Sequence, residues 1–453
     1  MIDKMKNYTD AELKEMVSAY EQKKKSMPPV WFMEDKLNEM IFAECLLTEH
    51  PMHCVANNLY EEDGTPIDLS LLKISIMNQL TGFVGTELPK RINRIIETIK
   101  IMCHTENAPA DISKIHVANG TLLTNGSFTV QKEFSTNRLP ISFIPNAPYP
   151  EKWLAFLSEL LESEDIVTLQ EFMGYCLIPT NKAQKMMLVL GNGGEGKSRL
   201  GIVLKALLGD NMTIDSVQRL ETDRFARADM IGKLVMFDDD MVMEALSETH
   251  ILKSIITLEG SMNVEQKNKQ SFQASLYARI FAVGNGNLSA LHDRSDGFFR
   301  RQIILMAKPK PTDRVDDPFL VEKMLNELEG IFLWCFEGLQ RLLANDYHFT
   351  ISDNAKANLR EAMEDGNNIL SFMRSTGYVR LEPRTHATSS QLYGAYSKWC
   401  EENCLKPLTP KSLTSYLKQN ANSYGLTYST NIDIGGGRKV RGFYGIHTQI
   451  RTE

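Results

Sequence analysis

A glycine-rich segment between an apolar run and an amphipathic run constrains the fold of this 453-residue chain most strongly. Residues 186–198 read MMLVLGNGGEGKS and fit the pattern GxxxxGK[ST] without a gap. Such a loop needs a buried parallel strand before it and a helix after it, because backbone N–H groups and the helix N-terminus together bind phosphate. The apolar run before the loop and the pattern RLGIVLKALLG after it meet both needs. The sequence therefore predicts an α/β fold with a phosphate-binding loop.

Each position of this loop has a predicted role. Lys197 reaches the β- and γ-phosphates of a nucleotide, and the hydroxyl of Ser198 ligates Mg²⁺. The alternative is a chance glycine-rich turn, against which the uninterrupted order of strand, loop and helix argues. The residues predicted to bind ATP are Gly191, Asn192, Gly193, Gly194, Glu195, Gly196, Lys197 and Ser198.

A second apolar run ends in carboxylates. Residues 234–237 run directly into Asp238, Asp239 and Asp240, with Asp238 41 residues after Lys197. Carboxylates at the end of a buried strand are suited to hold Mg²⁺ and to orient an attacking water. We assign Asp238 to the metal and Asp239 to the water, and leave open whether Asp240 shares the second role. Taken alone, the run is equally typical of a solvated acidic turn.

A third apolar strand ends at Asn285, whose amide is suited to hydrogen-bond the attacking water or the γ-phosphate. Fifteen residues later, the segment DGFFRRQIIL has Arg300 and Arg301 at the start of another predicted strand. A guanidinium supplied by a neighbouring subunit would neutralise charge on a transferring phosphoryl group. The alternative is a surface salt bridge, worth about 0–1 kcal/mol. Arg294 is a further candidate for the same role.

A short hairpin is predicted from the alternation within LEGSMNVEQKNKQSFQ, residues 258–273. Lys267 and Lys269 would lie near its tip. Charge alone favours a solvated face for these lysines, although they are also suited to contact DNA phosphates.

Charge is distributed unevenly along the chain. Residues 368–453 hold 11 Lys and Arg against 5 Asp and Glu, a net charge of +6. The preceding 367 residues hold 39 against 52, a net charge of −13. A basic module on an acidic body indicates a contact with nucleic acid.

The pattern of this basic module predicts a winged helix. Helices over 388–402 and 410–421 are followed by two strands that flank a basic, glycine-rich tip. The second helix would enter the major groove and the wing would hold phosphates. The alternative is a winged helix that binds protein. The residues predicted to contact duplex DNA are Lys411, Lys418, Arg438, Lys439 and Arg441.

Together these motifs resemble the superfamily 3 helicases, a branch of the AAA+ ATPases, and within them the primase-helicases of phages and plasmids. The resemblance rests on GNGGEGKS, LVMFDDD, LEGSMNVEQKNKQ, FAVGN and FFRR, in that order. It extends to replication initiators of phage-inducible pathogenicity islands. It implies a hexameric ring with ATP sites at subunit interfaces and 3′ to 5′ translocation on single-stranded DNA. It also implies that Lys269, with Lys267 nearby, contacts DNA in the central channel. Because the chain begins with predicted helices and shows no catalytic primase motif, we assign no priming activity.

The expected architecture is therefore an AAA+ P-loop ATPase core with an N-terminal, mainly helical domain and a C-terminal winged-helix domain. The predicted domains are 1–110 (helical), 111–180 (helicase-associated), 181–345 (ATPase core), 346–367 (linker helix) and 368–453 (winged helix). Apolar spacing predicts helices over 8–25, 31–50, 69–104, 151–163, 167–177, 318–345 and 353–364, with β-like runs over 112–145.

The expected function is an ATP-dependent DNA helicase and replication initiator whose C-terminal module recognises an origin. The alternative is an ATP-switched protein that binds and melts an origin without processive unwinding. A protein-remodelling ATPase is a third class, for which we find no aromatic pore loop. Expected partners are single-stranded and duplex DNA, further copies of the chain and host replication proteins.

Composition narrows the class of protein. Hydrophobic residues make up 43% and charged residues 24% of the chain, which excludes wholesale disorder, collagen and coiled-coil rods. The charged N-terminus and the lack of a run of roughly 18 apolar residues predict a soluble protein of the bacterial cytoplasm, without a membrane segment. Seven cysteines without a CxxC pair favour reduced thiols over a zinc site.

Overall fold

The computed structural model describes residues 28–106, 111–241, 249–257, 260–267, 270–285, 296–311, 316–366, 368–435 and 438–449. The chain divides into two units, of which the first ends at Arg138 and the second begins at Leu139. The predicted helix over 8–25, Lys269 and Arg294 lie outside the described residues. The predicted domain boundaries stay predictions.

The first unit combines helices with short antiparallel strands. Its core is built from helical residues such as Phe42, Ile76 and Ile99, all of them buried. Its elements are β1 (Phe32–Met33), β2 (Lys36–Leu37), α1 (Glu39–Glu49), β3 (Met52–Val55), β4 (Asn58–Glu61), α2 (Leu69–Leu80), α3 (Leu88–Met102), β5 (Lys114–Val117), β6 (Gly120–Leu123) and β7 (Phe128–Thr129).

Two helix predictions in this unit are wrong in extent. The predicted helix over 31–50 begins instead with the β1–β2 hairpin, whose turn residues Glu34 and Asp35 have φ of 51° and 55°. Positive φ at both turn positions matches the twist of a two-residue hairpin. The predicted helix over 69–104 is two helices, α2 and α3, because the chain turns at Gly82 with φ +97°.

Three β-like runs make up the stretch predicted over 112–145. The first run forms β5 and β6, which pair with each other, and the second contains β7, which pairs with β6. The last run, residues 139–144, contains no strand in this described stretch. Leu139, Ile141 and Phe143 are nevertheless buried in alternation. The period of two in the sequence therefore reflects an extended segment that packs one side against the core.

The second unit contains a central sheet, helices around it and a C-terminal module. Its elements up to the linker are α4 (Glu151–Leu160), α5 (Ser163–Tyr175), β8 (Met186–Gly191), α6 (Ser198–Leu208), β9 (Met212–Ile214), α7 (Val217–Thr222), β10 (Val235–Asp238), α8 (His250–Ile256), β11 (Met262–Val264), β12 (Phe272–Ala274), β13 (Arg279–Asn285), α9 (Asp296–Phe299), β14 (Gln302–Met306), α10 (Leu320–Leu325), α11 (Leu328–Ala344) and α12 (Asp353–Gly366). The C-terminal elements are α13 (Asn368–Arg374), β15 (Val379–Thr388), α14 (Ser389–Glu402), α15 (Pro410–Gln419), α16 (Ala421–Tyr424), β16 (Thr427–Asp433) and β17 (Lys439–Thr448).

Five parallel strands form the central sheet in the order β14-β8-β13-β10-β9. All six residues of β8 are buried, as expected of a parallel strand covered on both faces. The predicted α/β fold class is thus confirmed. The register pairs Asn285 with Gly191 and Asp238 with Ala282. The carboxyl ends of β8, β13 and β10 therefore lie at the same side of the sheet.

Helix α6 packs closely on this sheet at Gly201. A Cβ atom at this position would lie 2.3 Å from the ring of Phe237 in β10. Glycine is therefore required for the helix that follows the glycine-rich loop to approach the acidic strand.

The single helix predicted over 318–345 is two helices, α10 and α11, separated at Asn326 and Glu327. The carboxylate of Glu327 accepts hydrogen bonds from the backbone amides of Lys152 and Trp153 at 2.9–3.1 Å. These amides belong to the first turn of α4, where N–H groups have no partner within the helix. The break between α10 and α11 thus coincides with a tertiary contact to α4, which cannot be predicted from the local spacing of apolar residues.

The C-terminal module has a core of its own, which includes Phe372, Tyr396 and Phe443. The predicted helices are confirmed as α14 and α15, and α14 begins with a capping box of Thr388 and Gln391. The two predicted strands are β16 and β17. The strand β15 was not predicted, and it pairs with β17 to complete a three-stranded sheet in the order β15-β17-β16.

No helix within the described parts of the chain is both long enough and apolar enough to cross a membrane.

Candidate functional site

The segment Gly191–Ser198, referred to here as the glycine loop, connects β8 to α6. Its backbone passes through positive φ at Gly193 (104°), Gly194 (84°) and Gly196 (105°). Glycine adopts these angles without the steric cost of a Cβ atom. The loop can therefore fold tightly enough for successive N–H groups to converge on one anion.

Lys197 is only 6% exposed, and its ammonium group lies at the centre of the site. Its Nζ donates to Asn285 Oδ1 at 3.0 Å and to Glu195 Oε2 at 2.7 Å. Asn285 ends β13, the strand next to β8 in the sheet. The sheet register therefore joins two residues that were each predicted from separate motifs, 88 positions apart.

Glu195 turns its side chain into the glycine loop and is 3% exposed. Its Oε1 accepts from the amides of Asn192 and Gly193 at 2.6 and 2.9 Å, and its Oε2 accepts from Gly193 at 3.0 Å. Burial acts to raise the pKa of Glu195, but hydrogen bonds from Lys197 and backbone amides outweigh it, and the pKa is lowered. The sequence placed Glu195 in the loop without revealing that its carboxylate folds inward.

The three acidic residues at the end of β10 differ in their surroundings. Asp238 is 5% exposed, and its Oδ2 accepts from the amide of Val217 at 2.7 Å while its Oδ1 accepts from the amide of Asp240 at 3.2 Å. Burial raises the pKa of Asp238 above its usual value. Asp239 and Asp240 are exposed. The metal and water roles predicted for Asp238 and Asp239 stay predictions.

A cavity of about 400 Å³ opens beside the glycine loop. Six predicted site residues meet at this cavity and contribute to its lining, namely Gly194, Gly196, Lys197, Ser198, Asp239 and Asn285. The cavity is also lined by residues that were not predicted from the sequence, namely Arg199, Val283, Gly284 and Asp316. Arg199 could have been found because it follows the loop directly. Asp316 belongs to no sequence motif, so its position at the cavity could not be predicted from the residues next to it.

The two candidate arginines have different environments. Phe298 and Phe299 are buried and anchor the short helix α9, and the side chain of Arg300 is exposed. Arg301 is partly buried, and its Nη1 donates to the carbonyl of Gly297. Both arginines precede β14, whose first residue pairs with Met186 at the start of β8. They therefore lie at the amino-terminal ends of the strands, whereas the glycine loop lies at the carboxyl end of β8.

The predicted hairpin is confirmed, since β11 pairs with β12 in antiparallel register. Lys267 lies in the connection between the two strands and is exposed. The DNA-contact role predicted for Lys267 and for Lys269 stays a prediction.

In the C-terminal module, the five residues predicted to contact DNA are all exposed. Lys411 and Lys418 lie on α15, and the ammonium group of Lys418 lies 3.6 Å from the centre of the Tyr428 ring. This cation–π contact ties α15 to β16. Arg438 precedes β17, and Lys439 and Arg441 lie on it.

The fold and the site together define an α/β protein with a strand–glycine loop–helix unit whose lysine contacts an amide on the neighbouring strand. Residues 189–301 match a family described as a family of unknown function, DUF5906. The matched segment is about a quarter of the chain. It includes the whole glycine loop, the acidic end of β10, Asn285 and both arginines.

Two solved structures share this fold over most of the chain. One is the A form apo structure of the NrS-1 C-terminal region, with a TM-score of 0.51 and 11% identity, covering 90% of this chain and 99% of that chain. A second A form apo structure of the same region has a TM-score of 0.52 and 11% identity, with the same coverage of 90% and 99%. At this level of identity the likeness is one of fold.

Proposed function

We propose that this chain is an ATP-dependent DNA helicase that initiates replication of a phage, plasmid or genomic island. The observation that carries the proposal is that the glycine loop, Asp239 and Asn285 line one and the same cavity. A nucleoside triphosphatase needs a phosphate cradle, a cation, a carboxylate and a polar group for the water within one site. The cavity volume of about 400 Å³ also falls within the range of small-molecule sites, roughly 300–1,000 Å³.

ATP is the substrate that fits the donors of this site. The amides of Asn192 and Gly193 donate to a carboxylate in the loop, so they are oriented to donate to phosphate oxygens. Lys197 would bind the β- and γ-phosphates, and Asn285 beside it would hold the γ-phosphate or the water.

The residues that we assign to Mg²⁺ carry oxygen atoms, which are the ligands that this ion prefers. Ser198 and Asp238 are the residues we assign to the ion, which when bound would screen the phosphate charges. Asp239 lines the cavity and is the residue we assign to orient the attacking water. The contacts of Asp238 with the amides of Val217 and Asp240 hold its carboxylate in a fixed orientation.

A ring of subunits is favoured by the position of Arg300. Arg300 lies near the amino-terminal end of β8, and the glycine loop lies at its carboxyl end. The six residues of β8 separate these two ends by about 16 Å, at roughly 3.3 Å per residue. An exposed arginine at that end of the strands cannot reach the site of its own subunit, so a role in hydrolysis would require the site of a neighbour. We therefore assign Arg300 as the residue that acts across the interface, with Arg301 holding the turn before β14.

DNA contacts are divided between two regions in this proposal. Lys267 in the β11–β12 connection, together with Lys269, would contact single-stranded DNA in the channel of a ring that translocates in the 3′ to 5′ direction. The C-terminal module, with its net charge of +6, would act as a winged helix that recognises duplex DNA at an origin.

The direct test is strand displacement by the purified protein on forked DNA of both polarities. We expect ATP-dependent displacement that begins from a 3′ single-stranded arm and requires Mg²⁺. ATP hydrolysis that is stimulated by DNA without displacement on either fork would instead favour the alternative, an ATP-switched protein that melts an origin. Absence of ATP hydrolysis would refute both.

Neutralising the wing should weaken binding to every duplex alike. Replacing Arg438, Lys439 and Arg441 with alanine removes three exposed cations, and each lost phosphate contact lowers the log–log salt slope by roughly one. Lys411→Ala on α15 should instead change preference among duplexes, by about 1–3 kcal/mol for a lost base contact. Competition binding between origin-region and random duplex across a salt series measures both effects. An unchanged salt slope in the triple variant would assign the module to protein contacts.

A further inference from the structure

Glu195 is the residue of the glycine loop whose position calls for an explanation. A glutamate in a glycine-rich surface loop would ordinarily extend into water, because burying a carboxylate is costly unless it is paired. Here the carboxylate is 3% exposed, and it is paired with Lys197 at 2.7 Å and with two successive backbone amides.

The partners of this carboxylate are the groups that bind phosphate in a loop of this kind. Backbone N–H groups of the loop and the lysine ammonium group attract any anion that fits between them. The two oxygens of Glu195 take up the amides of Asn192 and Gly193 and one donor of Lys197. A phosphate group and this carboxylate cannot accept from the same amides at once, since each N–H group makes one strong hydrogen bond.

We infer that Glu195 is an internal competitor of the nucleotide, which closes the glycine loop until phosphate displaces its carboxylate. This inference rests on the proposed function, because it takes the loop to be the site of the nucleotide phosphates. Glu195 thereby sets the affinity of the site: every binding event has to break its ion pair with Lys197 and its bonds to the two amides.

Glutamine at position 195 isolates the effect of the charge. It keeps the size of the side chain and one oxygen acceptor, but it removes the negative charge and turns the second acceptor into an NH2 donor. The ion pair with Lys197 is lost, and a backbone amide that still bonds to the remaining oxygen does so about half as strongly. We therefore expect Glu195→Gln to bind ADP and pyrophosphate about tenfold more tightly than the wild type. Glu195→Ala, which removes the acceptor as well, should bind at least as tightly as Glu195→Gln.

Glu327→Gln is the matched control. Glu327 also accepts from two successive backbone amides, those of Lys152 and Trp153, but it belongs to the break between α10 and α11. Its substitution changes the net charge by the same amount and should leave the affinity for ADP unchanged.

The experiment is isothermal titration calorimetry of the full chain with ADP and, separately, with pyrophosphate. Tighter binding by Glu195→Gln than by the wild type and Glu327→Gln supports the inference, as does binding by Glu195→Gln alone. If the wild type binds and Glu195→Gln binds equally or more weakly, the competitor role is refuted and the proposed function stands. If Glu327→Gln gains as much as Glu195→Gln, net charge explains the gain and the inference fails. If no protein binds either probe, the proposed nucleotide site fails, and the inference fails with it.

A second measurement separates competition from a general loosening of the protein. In the absence of ligand, Glu195→Gln should have a lower Tm than the wild type, because the loop loses an ion pair. With saturating ADP its Tm should rise by more than that of the wild type, since ligand stabilisation grows with affinity. An ADP-induced rise no larger than that of the wild type would overturn the inference.

Discussion

Replacing Lys197 with alanine is expected to abolish ATP hydrolysis and DNA unwinding. The Nζ of Lys197 lies between Glu195 and Asn285 at the cavity, so its removal leaves no ammonium group at the glycine loop. Loss of one preorganised electrostatic group lowers turnover by about 100-fold or more. Steady-state ATPase and strand-displacement assays of the purified variant measure the effect.

The control for this prediction has to show that the variant is folded. Lys197→Ala leaves the carboxylate of Glu195 without its cation, and breaking a buried ion pair is often strongly destabilising. Because Glu195 lies on a loop, it can turn towards water, and we expect the far-UV circular dichroism of the variant to match that of the wild type. Lys197→Arg, which keeps the charge, serves as a second variant with restored pairing. Wild-type turnover in folded Lys197→Ala would refute the assignment of the glycine loop.

Replacing Arg300 with alanine is expected to leave nucleotide binding intact and to lower turnover by about 10³-fold or more. The side chain of Arg300 is exposed at the amino-terminal ends of the sheet strands, away from the glycine loop of its own chain. In the proposed ring its charge would act on the site of a neighbouring subunit. Single-turnover hydrolysis together with equilibrium ADP binding separates the two effects.

Mixed rings make this prediction specific. Arg300→Ala subunits carry an intact glycine loop, and Lys197→Ala subunits carry an intact arginine, so interfaces between the two kinds should recover some activity. Arg301→Ala is the matched comparison, because Arg301 bonds to the carbonyl of Gly297 and should affect Tm more than turnover. Normal hydrolysis by Arg300→Ala, or no recovery in the mixture, would argue against an arginine that acts in trans.

The sequence predicted those parts of the site that consist of residues contiguous in the chain. The glycine loop, the acidic end of β10 and the polar end of β13 are contiguous motifs, each an apolar run followed by polar residues, and each ends a strand in the structure. The α/β fold class followed from the same runs, because a parallel strand covered on both faces reads as a nearly continuous apolar run.

Predictions were less accurate where one periodic pattern was taken to continue over a long stretch of the chain. The periodicity over 318–345 is helical on both sides of Glu327, yet the chain breaks there. The strand β15 was missed because most of its residues are exposed, so its pattern lacks the apolar alternation of a half-buried strand.

The sequence by itself determined which residues are available for the chemistry, since motif and spacing are properties of the chain. The tertiary structure alone decided which of them meet. The order β8-β13-β10 brings Asn285 against Lys197, 88 residues away, and the parallel direction of the strands separates Arg300 from the glycine loop of its own subunit. The inward turn of Glu195 was likewise decided only in the folded loop. Strand order and side-chain direction depend on packing and hydrogen bonding between distant segments, and no local pattern in the chain records them.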